Sequence, residues 1–558
     1  MPSSLTDLPV ELLLDNLLPI VPLSDLGNLA ATNRTLAVVC ADDTFWRRKC
    51  QIDFNFTSSE TARTSGWRTL YRGLFRPRIF VWGERANGRL GVESVPSQAG
   101  GGVPYPIEVK IPGRRIVSLV AGGMSFNALD SNGMMYVWGT LNGEGHAWTT
   151  DGFAERYKTA KVPHQLVLPL PIRTISCGRL HTLAMDAKHQ VWTFCNWGRP
   201  FKLVSPLVDC HAPDTTPVQV EAGWGFSSIL TQAGDVLVYW QSSGIMGRRV
   251  HEKMEQLNEQ EETKAHATEE HKIPCWTWDL EEDPFRLPAI PELPHLPNTG
   301  LSEEKLKEQT KLIKIASFDN NLIGLTNKGH LLKYYGLDNE NMFTGARWEY
   351  LSKFSDVAEL ARHPVFNDDD NPSEAPKTMH ITHITAHFQT FVAYSTGASS
   401  IVLVGNMDTG PLSDPDVPSS LQNRSVISVV LGDYHKGALT SSGKLLTWGA
   451  FSEGALGLGD PRKLPLGTPG GYRSQQALDS ARRRDHIPEP PSVEEPAEVR
   501  FDMDGREAGR KYAFAATAGG WHSGALVLSL EVRLVYIPEC SSSDSLSVNL
   551  YRSAAGKG

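Results

Sequence analysis

Residues 117–139, VSLVAGGMSFNALDSNGMMYVWG, contain three short apolar runs separated by two turns. Small residues form the first turn, a Gly ends the second, and the third run ends in Trp-Gly. The same order returns at residues 427–449 as ISVVLGDYHKGALTSSGKLLTWG. Because Gly permits the positive φ of a tight reversal, each copy predicts antiparallel strands joined by short turns.

The pattern repeats along most of the chain. Aligning the small-residue turns gives seven copies, centred on Ala121, Cys177, Ala222, Ala316, Ala386, Leu431 and Ala518. The copies are about 50 residues apart where no insertion separates them, a period typical of a β-propeller. The copies at Ala316 and Ala386 are degenerate, and the count of seven blades depends on them. A repeated unit of this kind buries its apolar face only against its neighbours, so binding is favoured over catalysis.

One strand stands apart from the series. The segment IFVWG at residues 79–83 has the signature of a third run but precedes the first full copy, and the last copy lacks such a strand. We therefore predict that this early strand completes the final blade. The ring then closes with seven blades and leaves no sheet edge unpaired.

Several copies resemble a known repeat. The segments GRLHTLA (178–184), GDYHKGAL (432–439) and AGGWHSGAL (518–526), and WG (82–83) with NGRLG (87–91), resemble the regulator-of-chromosome-condensation repeat. The resemblance covers roughly four-fifths of the chain. It implies a mainly β fold, a seven-bladed propeller of that type.

A helical pattern precedes the repeats. In LTDLPVELLLDNLL (5–18), Val10, Leu13, Leu14, Leu17 and Leu18 lie at helical spacing on one face. Two further short helices are predicted, from residue 25 and from residue 34 to residue 50. Three helices in about 45 residues give a core too small for independent stability, which favours a docking partner.

This segment resembles an F-box. The matching residues are Leu8, Pro9, Glu11, Leu12, Leu13, Leu23, Asp25, Leu26, Asn33, Arg34, Leu36, Phe45, Trp46 and Arg47. The resemblance implies that the box binds the adaptor subunit of an SCF ubiquitin ligase and, through it, cullin and RING subunits. The adaptor contacts it implies are Leu8, Pro9, Glu11, Leu12, Leu23, Asp25, Leu26 and Trp46. The alternative is that these leucines form only the core of the domain.

The predicted domains are an F-box at 1–50, a helical linker at 51–78, the propeller at 79–535 and a tail at 536–558. Two inserts interrupt the propeller, at about 246–310 and 462–510. Residues 251–310 hold fifteen Asp and Glu against six Lys and Arg, and many Pro residues. That composition predicts a solvated or partly disordered loop, either a tolerated insertion or an acidic arm for a partner. The second insert is interpreted in the same way.

Other classes of protein lack support. The net charge of −9 argues against nucleic acid or an anionic membrane as the main partner. Seven scattered Cys residues without a CxxC pair, and a start without a basic leader, favour the cytoplasm or the nucleus. No catalytic motif is found, and no cofactor is expected. His380, His383 and His387 are too poorly placed for a metal site, and His181, His435 and His522 recur at one repeat position, where we expect them to hold turns.

The leading hypothesis is a non-catalytic substrate receptor of an SCF-type ubiquitin ligase. The F-box would bind the adaptor, and the propeller would capture a protein for ubiquitination and degradation. Such two-module F-box proteins occur in fungi. The alternative is a guanine-nucleotide exchange factor or scaffold for a Ran-like GTPase. Residues 140–157, 241–310, 406–424 and 450–475 are candidate contact loops for a protein substrate.

Overall fold

The computed structural model describes residues 5–57, 60–94, 102–141, 159–341, 345–367, 374–396, 400–484, 487–502 and 510–530. They form two compact units, residues 5–42 and residues 43–530. The predicted tail at 536–558 lies outside the described residues. No helix in the described ranges combines the length and the apolarity needed to cross a membrane.

The first unit is a succession of short helices punctuated by proline. Pro9 and Pro22 each precede a helix, where the missing N–H of proline costs no hydrogen bond. The Asn33 side chain accepts a hydrogen bond from the Leu36 N–H at 2.8 Å and caps the last helix of the unit. The helices are Leu5–Asp7, Val10–Leu12, Leu13–Leu17, Leu18–Ile20, Leu23–Thr32 and Arg34–Cys40.

The second unit opens with two more helices and continues as seven β-sheets, as predicted. Neighbouring strands are antiparallel except for the outermost pairs of blades 1 and 2, which are parallel. The opening helices are Asp43–Phe54 and Trp67–Gly73. Helix Asp43–Phe54 runs through the predicted domain boundary at residue 50. Within blades 1 to 6 the strands follow one another outward from the central channel in chain order. The fold is a seven-bladed β-propeller preceded by a helical region.

Each of the first three blades takes its outermost strand from the first insert. Their strands are, for blade 1, Ile116–Ala121, Ser125–Asp130, Met135–Gly139, Ala160–Val167 and Lys272–Pro274; for blade 2, Ile172–Cys177, Thr182–Asp186, Val191–Phe194, Phe201–Val204 and Trp278–Glu281; and for blade 3, Pro217–Ala222, Ser227–Thr231, Val236–Tyr239 and Phe285–Arg286.

The remaining blades include the two degenerate copies. Their strands are, for blade 4, Leu312–Phe318, Asn321–Thr326, Leu331–Tyr334 and Glu349–Tyr350; for blade 5, His383–His387, Thr390–Ser395 and Ile401–Asn406; for blade 6, Val426–Leu431, His435–Thr440, Leu445–Gly449 and Val493–Glu498; and for blade 7, Arg510–Gly519, His522–Leu530, Arg78–Glu84 and Gly102–Val109. Helices outside the blades include Gly244–Asn258, Glu303–Lys307, Ser352–Ser355, Val357–Leu360 and Gln475–Arg482.

The ring closes as the stray strand predicts. Arg78–Glu84 pairs antiparallel with His522–Leu530, so the chain's first strand lies beside its last. The next strand, Gly102–Val109, is the outer strand of the same blade, which the sequence pattern does not reveal. Trp82 is fully buried in this blade, and its indole N–H donates to the Ala455 carbonyl at 2.7 Å. The closure is therefore held by side chains as well as by strand pairing.

The Trp-Gly signature has a steric cause. Gly139 and Gly449 adopt φ values of +90° and +107°, in the region that glycine favours. A Cβ at Gly139 would lie 2.5 Å from the Met124 carbonyl oxygen, and one at Gly449 would lie 2.6 Å from the Tyr434 carbonyl oxygen. Only glycine lets the third strand end this close to the start of the second.

The prediction of solvated or partly disordered inserts is wrong for their described parts. Lys272–Pro274, Trp278–Glu281 and Phe285–Arg286 add outer strands to blades 1, 2 and 3. Leu287 and Leu296, between the prolines, are buried. In the second insert, Val493–Glu498 is the outer strand of blade 6. Overall charge and proline content do not reveal that apolar residues of the insert, such as Leu287 and Leu296, are buried.

A buried arginine anchors the first insert. Arg199, in blade 2, is fully buried. Its guanidinium donates to the Leu257 carbonyl at 2.9 Å, to the Asn258 side-chain oxygen at 2.6 Å and to the Thr263 carbonyl and hydroxyl at 3.2 and 2.7 Å. Leu257 and Asn258 are the last two residues of helix Gly244–Asn258, and Thr263 lies shortly after its end. The insert is thereby fixed to the propeller.

We expect Arg199→Met to release this segment. Each buried acceptor left without its donor costs about 1–3 kcal/mol, so local opening of residues 244–263 becomes easier. Hydrogen–deuterium exchange should show faster exchange there and unchanged exchange in blades 5 and 6. The exposed Arg248 provides a matched control as Arg248→Met. Equal exchange in the two variants would contradict the anchoring role.

Candidate protein-docking surfaces

Six of the eight predicted adaptor contacts lie at the surface of the first unit. Leu12 is 48% exposed, Leu8 and Leu23 are partly exposed, and Pro9, Glu11 and Asp25 are exposed. Further apolar side chains that the prediction omitted are also exposed: Leu5, Val10, Ile20 and Val38. Val10 was expected on the same face as Leu13, which is buried. The unit thus exposes several large apolar side chains that a protein partner could cover.

The other two predicted contacts are buried. Leu26 is 4% and Trp46 is 5% exposed. The Trp46 ring lies 5.0 Å from the Tyr71 ring, and the Arg68 guanidinium lies 5.6 Å above it. Trp46 therefore joins helix Asp43–Phe54 to helix Trp67–Gly73. A motif match reports which residues are present, and it does not distinguish a surface leucine from a core leucine.

The segment between these two helices anchors them to the propeller. Asn55 donates to the Ile172 carbonyl at 3.0 Å, at the start of the innermost strand of blade 2. The Ala62 N–H donates to the Ile427 carbonyl at 2.7 Å in blade 6, and Arg63 donates to the Tyr512 hydroxyl at 2.6 Å in blade 7. All three partners belong to the beginnings of innermost strands. We call this end of the propeller the linker face.

The channel behind this segment carries a group of charged side chains. Glu221 accepts hydrogen bonds from Gln219 at 2.8 Å and from Ser176 at 3.1 Å, and burial raises its pKa to about 7. Burial lowers the pKa of Lys314, against the opposing charges of Glu60 and Glu221. Opposite charges thus share the channel, and we interpret the group as structural.

The opposite end of the propeller holds the turns between first and second strands. In blade 1, Ser125 pairs with Gly139, so the second strand starts where the third strand ends. The loops that leave the third strands therefore open at this end, which we call the turn face. Candidate loops 140–157, 241–310, 406–424 and 450–475 all begin here, although residues 142–157 lie outside the described part.

Side chains from opposite blades meet on the turn face. Arg179 of blade 2 forms an ion pair with Asp433 of blade 6 at 3.5 Å. Because these blades are three steps apart around the ring, the ion pair crosses the mouth of the channel. His387 lies 3.2 Å from Asp433. Burial would raise the pKa of Asp433, but the hydrogen bond and charge of His387 and the charge of Arg179 hold it below its usual value.

Aromatic side chains surround this ion pair. The Arg179 guanidinium lies 5.3 Å above the Trp224 ring, Trp224 lies 6.3 Å from Phe388, and Phe388 lies 5.8 Å from Tyr434. We call these residues, with Asp433 and His387, the turn cluster. The sequence interpretation missed it, although each member occupies the turn of its repeat copy. Aromatic and arginine side chains are the types enriched where proteins bind proteins.

The histidines of the repeat join neighbouring blades, whereas the sequence pattern predicts that they hold turns. His181 and His435 bond through Nε2 to the Ser227 and Ser523 hydroxyls at 3.0 and 2.8 Å, each in the next blade. His522 donates from Nε2 to the Ser125 carbonyl of blade 1 at 3.2 Å. Among the described residues, no group of three or more His, Cys, Asp and Glu could hold a metal.

Comparison with known proteins bears on both parts of the chain. The F-box-like family model matches residues 5–52. The SCF-associated factor 1 of Saccharomyces cerevisiae is 32% identical over 130 residues, and the F-box protein pof9 of Schizosaccharomyces pombe is 29% identical over 153 residues. The human protein RCC2 is 26% identical over 191 residues. The chain thus combines an F-box-like domain at residues 5–52 with repeats similar to those of RCC1-type proteins.

The matched regions are limited in extent. They cover 22%, 27% and 29% of this chain, and only 16%, 29% and 36% of the three relatives, in the same order. The F-box-like match crosses the boundary between the two units at residue 42. Its last helix, Asp43–Phe54, belongs to the propeller unit, and the linker fixes this helix at the linker face.

Proposed function

We propose that this chain is a substrate-recognition subunit of an SCF-type ubiquitin ligase. The F-box-like domain binds the adaptor, and the adaptor connects it to the cullin and RING subunits. The propeller binds a protein substrate for ubiquitination and proteasomal degradation. The observation that carries the proposal is the F-box-like match at residues 5–52, in which apolar side chains such as Leu12 are exposed.

The chain acts by proximity in this proposal. The recruited conjugating enzyme supplies the chemistry, and the propeller raises the effective concentration of a substrate lysine near the charged ubiquitin. Within the propeller unit, Asn55, Ala62 and Arg63 hold the segment after helix Asp43–Phe54 by hydrogen bonds to blades 2, 6 and 7. The cytoplasm or the nucleus is the proposed location.

The first test is co-purification of the full chain with the SCF adaptor and cullin. We expect Leu8→Ala combined with Pro9→Ala to remove that association, since both side chains reach the surface of the F-box-like domain. With the proteasome blocked, proteins that bind both forms and accumulate only with the variant are substrates. Unchanged association of the variant would contradict adaptor binding. Release of nucleotide from a Ran-like GTPase by the purified propeller would favour the exchange-factor alternative.

A further inference from the structure

We propose that the turn face binds an arginine or lysine side chain on an extended segment of the substrate. The binding residues are Trp224, Phe388 and Tyr434, from blades 3, 5 and 6, with Asp319 and Asp338 of blade 4. The inference rests on the proposed function and names the chemistry of its substrate. Its basis is the contacts and charges around the turn cluster.

The aromatic side chains form a continuous row. The ring centroids of Trp224 and Phe388 are 6.3 Å apart, and those of Phe388 and Tyr434 are 5.8 Å apart. Tyr434 is 57% exposed, and the other two are partly exposed. The row offers apolar area and the electron-rich ring faces that attract a cation.

The same surface already holds a guanidinium of the chain itself. Arg179 lies 5.3 Å above the Trp224 ring and 3.5 Å from the Asp433 carboxylate. One ring and one carboxylate thus accommodate an arginine whose side chain is 27% exposed. A substrate cation beside this arginine would find the same two kinds of group, a ring and a carboxylate, in Phe388 or Tyr434 and in blade 4.

The charges near the row differ between blades 6 and 4. Asp433 of blade 6 is surrounded by Arg179, Arg89 and His387, so its charge is balanced. In blade 4, burial and the charge of nearby Asp338 raise the pKa of Asp319. No ion pair among the described residues includes either of these two carboxylates.

The turn that carries Asp319 lies next to the turn that carries Trp224. The backbone N–H of Trp224 donates to the backbone carbonyl of Asp319 at 2.9 Å, which joins the turns of blades 3 and 4. The only hydrogen bond recorded for the Asp338 carboxylate within the described chain comes from the neutral Asn320 amide at 2.7 Å, which leaves the negative charge in place. Negative charge beside exposed aromatic rings is complementary to a basic side chain and repels an acidic one.

Peptide binding to the full chain tests the proposal. The probe is a fluorescein-labelled nonapeptide with three arginines separated by glycine and leucine, and its counterpart has glutamate in place of arginine. Fluorescence polarisation should show at least tenfold tighter binding of the basic peptide. The isosteric pair Asp319→Asn with Asp338→Asn should weaken it at least fivefold, and Tyr434→Ala about threefold.

The control changes net charge equally at a distance. Glu292→Gln with Glu304→Gln removes two exposed carboxylates and should leave the affinity unchanged. Equal binding of the two peptides, no binding of the basic one, or equal effects of the two double variants would each overturn the proposal. An unaltered affinity in Tyr434→Ala would overturn the role of the aromatic row. Adaptor co-purification with the same variants reports separately on the proposed function, because none of the substitutions lies in the F-box-like domain.

Discussion

Leu12→Asp is expected to lower the affinity for the SCF adaptor by at least 100-fold, about 2.7 kcal/mol, without lowering the thermal stability of the chain. Leu12 is 48% exposed in the free chain, so an aspartate there stays hydrated until a partner covers it. Burying an unpaired carboxylate at an apolar interface then costs several kcal/mol. Isothermal titration calorimetry with purified adaptor, and a thermal melt of each variant, would measure the two effects.

Two further variants test whether the exposed position of Leu12 in the F-box-like domain causes the loss of adaptor affinity. Leu466→Asp makes the same change at an exposed leucine of the propeller, 43% exposed, and should leave adaptor binding intact. Trp46→Ala should act differently, because Trp46 is buried against Tyr71 and its loss destabilises the protein by about 3–5 kcal/mol. If Trp46→Ala weakened adaptor binding at unchanged stability while Leu12→Asp did not, the adaptor contact would lie elsewhere in the domain.

The sequence predicts the propeller well because blades depend on a local pattern. Each hairpin is encoded within about 23 residues, and the stray strand at residues 79–83 indicates how the ring closes. The second closing strand, Gly102–Val109, has no Trp-Gly signature, so its place in blade 7 is visible only in the pairing. The ordered structure of the acidic insert is also not predicted from the sequence. It depends on hydrogen bonds from Arg199 to acceptors that lie 58 to 64 residues further along the chain.

The candidate sites are also hard to predict, because they depend on contacts between residues that are far apart in the sequence. The Arg179–Asp433 ion pair joins residues 254 positions apart, a contact that exists only once the ring has closed. In the F-box-like domain the motif identifies Leu12 and Leu26 alike, yet one is half-exposed and the other is buried. Local patterns therefore give the architecture, whereas surfaces that bind other molecules require the tertiary arrangement.

Acid lability is expected from the histidines that join neighbouring blades. His181, His435 and His522 are almost wholly inaccessible, and burial lowers their pKa values from 6.5 to about 3, 4 and 3. They are neutral in the folded protein at pH 7, and each uses Nε2 to bond the adjacent blade. Unfolding exposes them to water, where they take up protons below pH 6.5.

The direction of the pH effect follows from proton uptake. At these three histidines the unfolded chain binds more protons than the folded chain below pH 6.5. Their contribution to the free energy of unfolding is therefore greatest above 6.5 and falls as the pH decreases toward the folded pKa values. At pH 5 each histidine lowers it by about 2 kcal/mol, and three together by about 6 kcal/mol. The Glu221 carboxyl, whose pKa burial raises to about 7, offsets part of this loss, so a marked decrease in stability near pH 5 is expected.

Single substitutions separate these histidines from other titrating groups. Urea denaturation at pH 7.5, 6.5, 5.5 and 5.0 gives the slope of the unfolding free energy against pH. In His522→Gln that slope should decrease by about 1.4 kcal/mol per pH unit below 6.5, even if the variant is less stable at pH 7.5. His211→Gln, at a side chain that is 85% exposed, should leave the slope unchanged. A wild-type slope retained in His522→Gln would mean that His522 is already charged in the folded ring, and the buried neutral contacts between blades would then not be the source of acid lability.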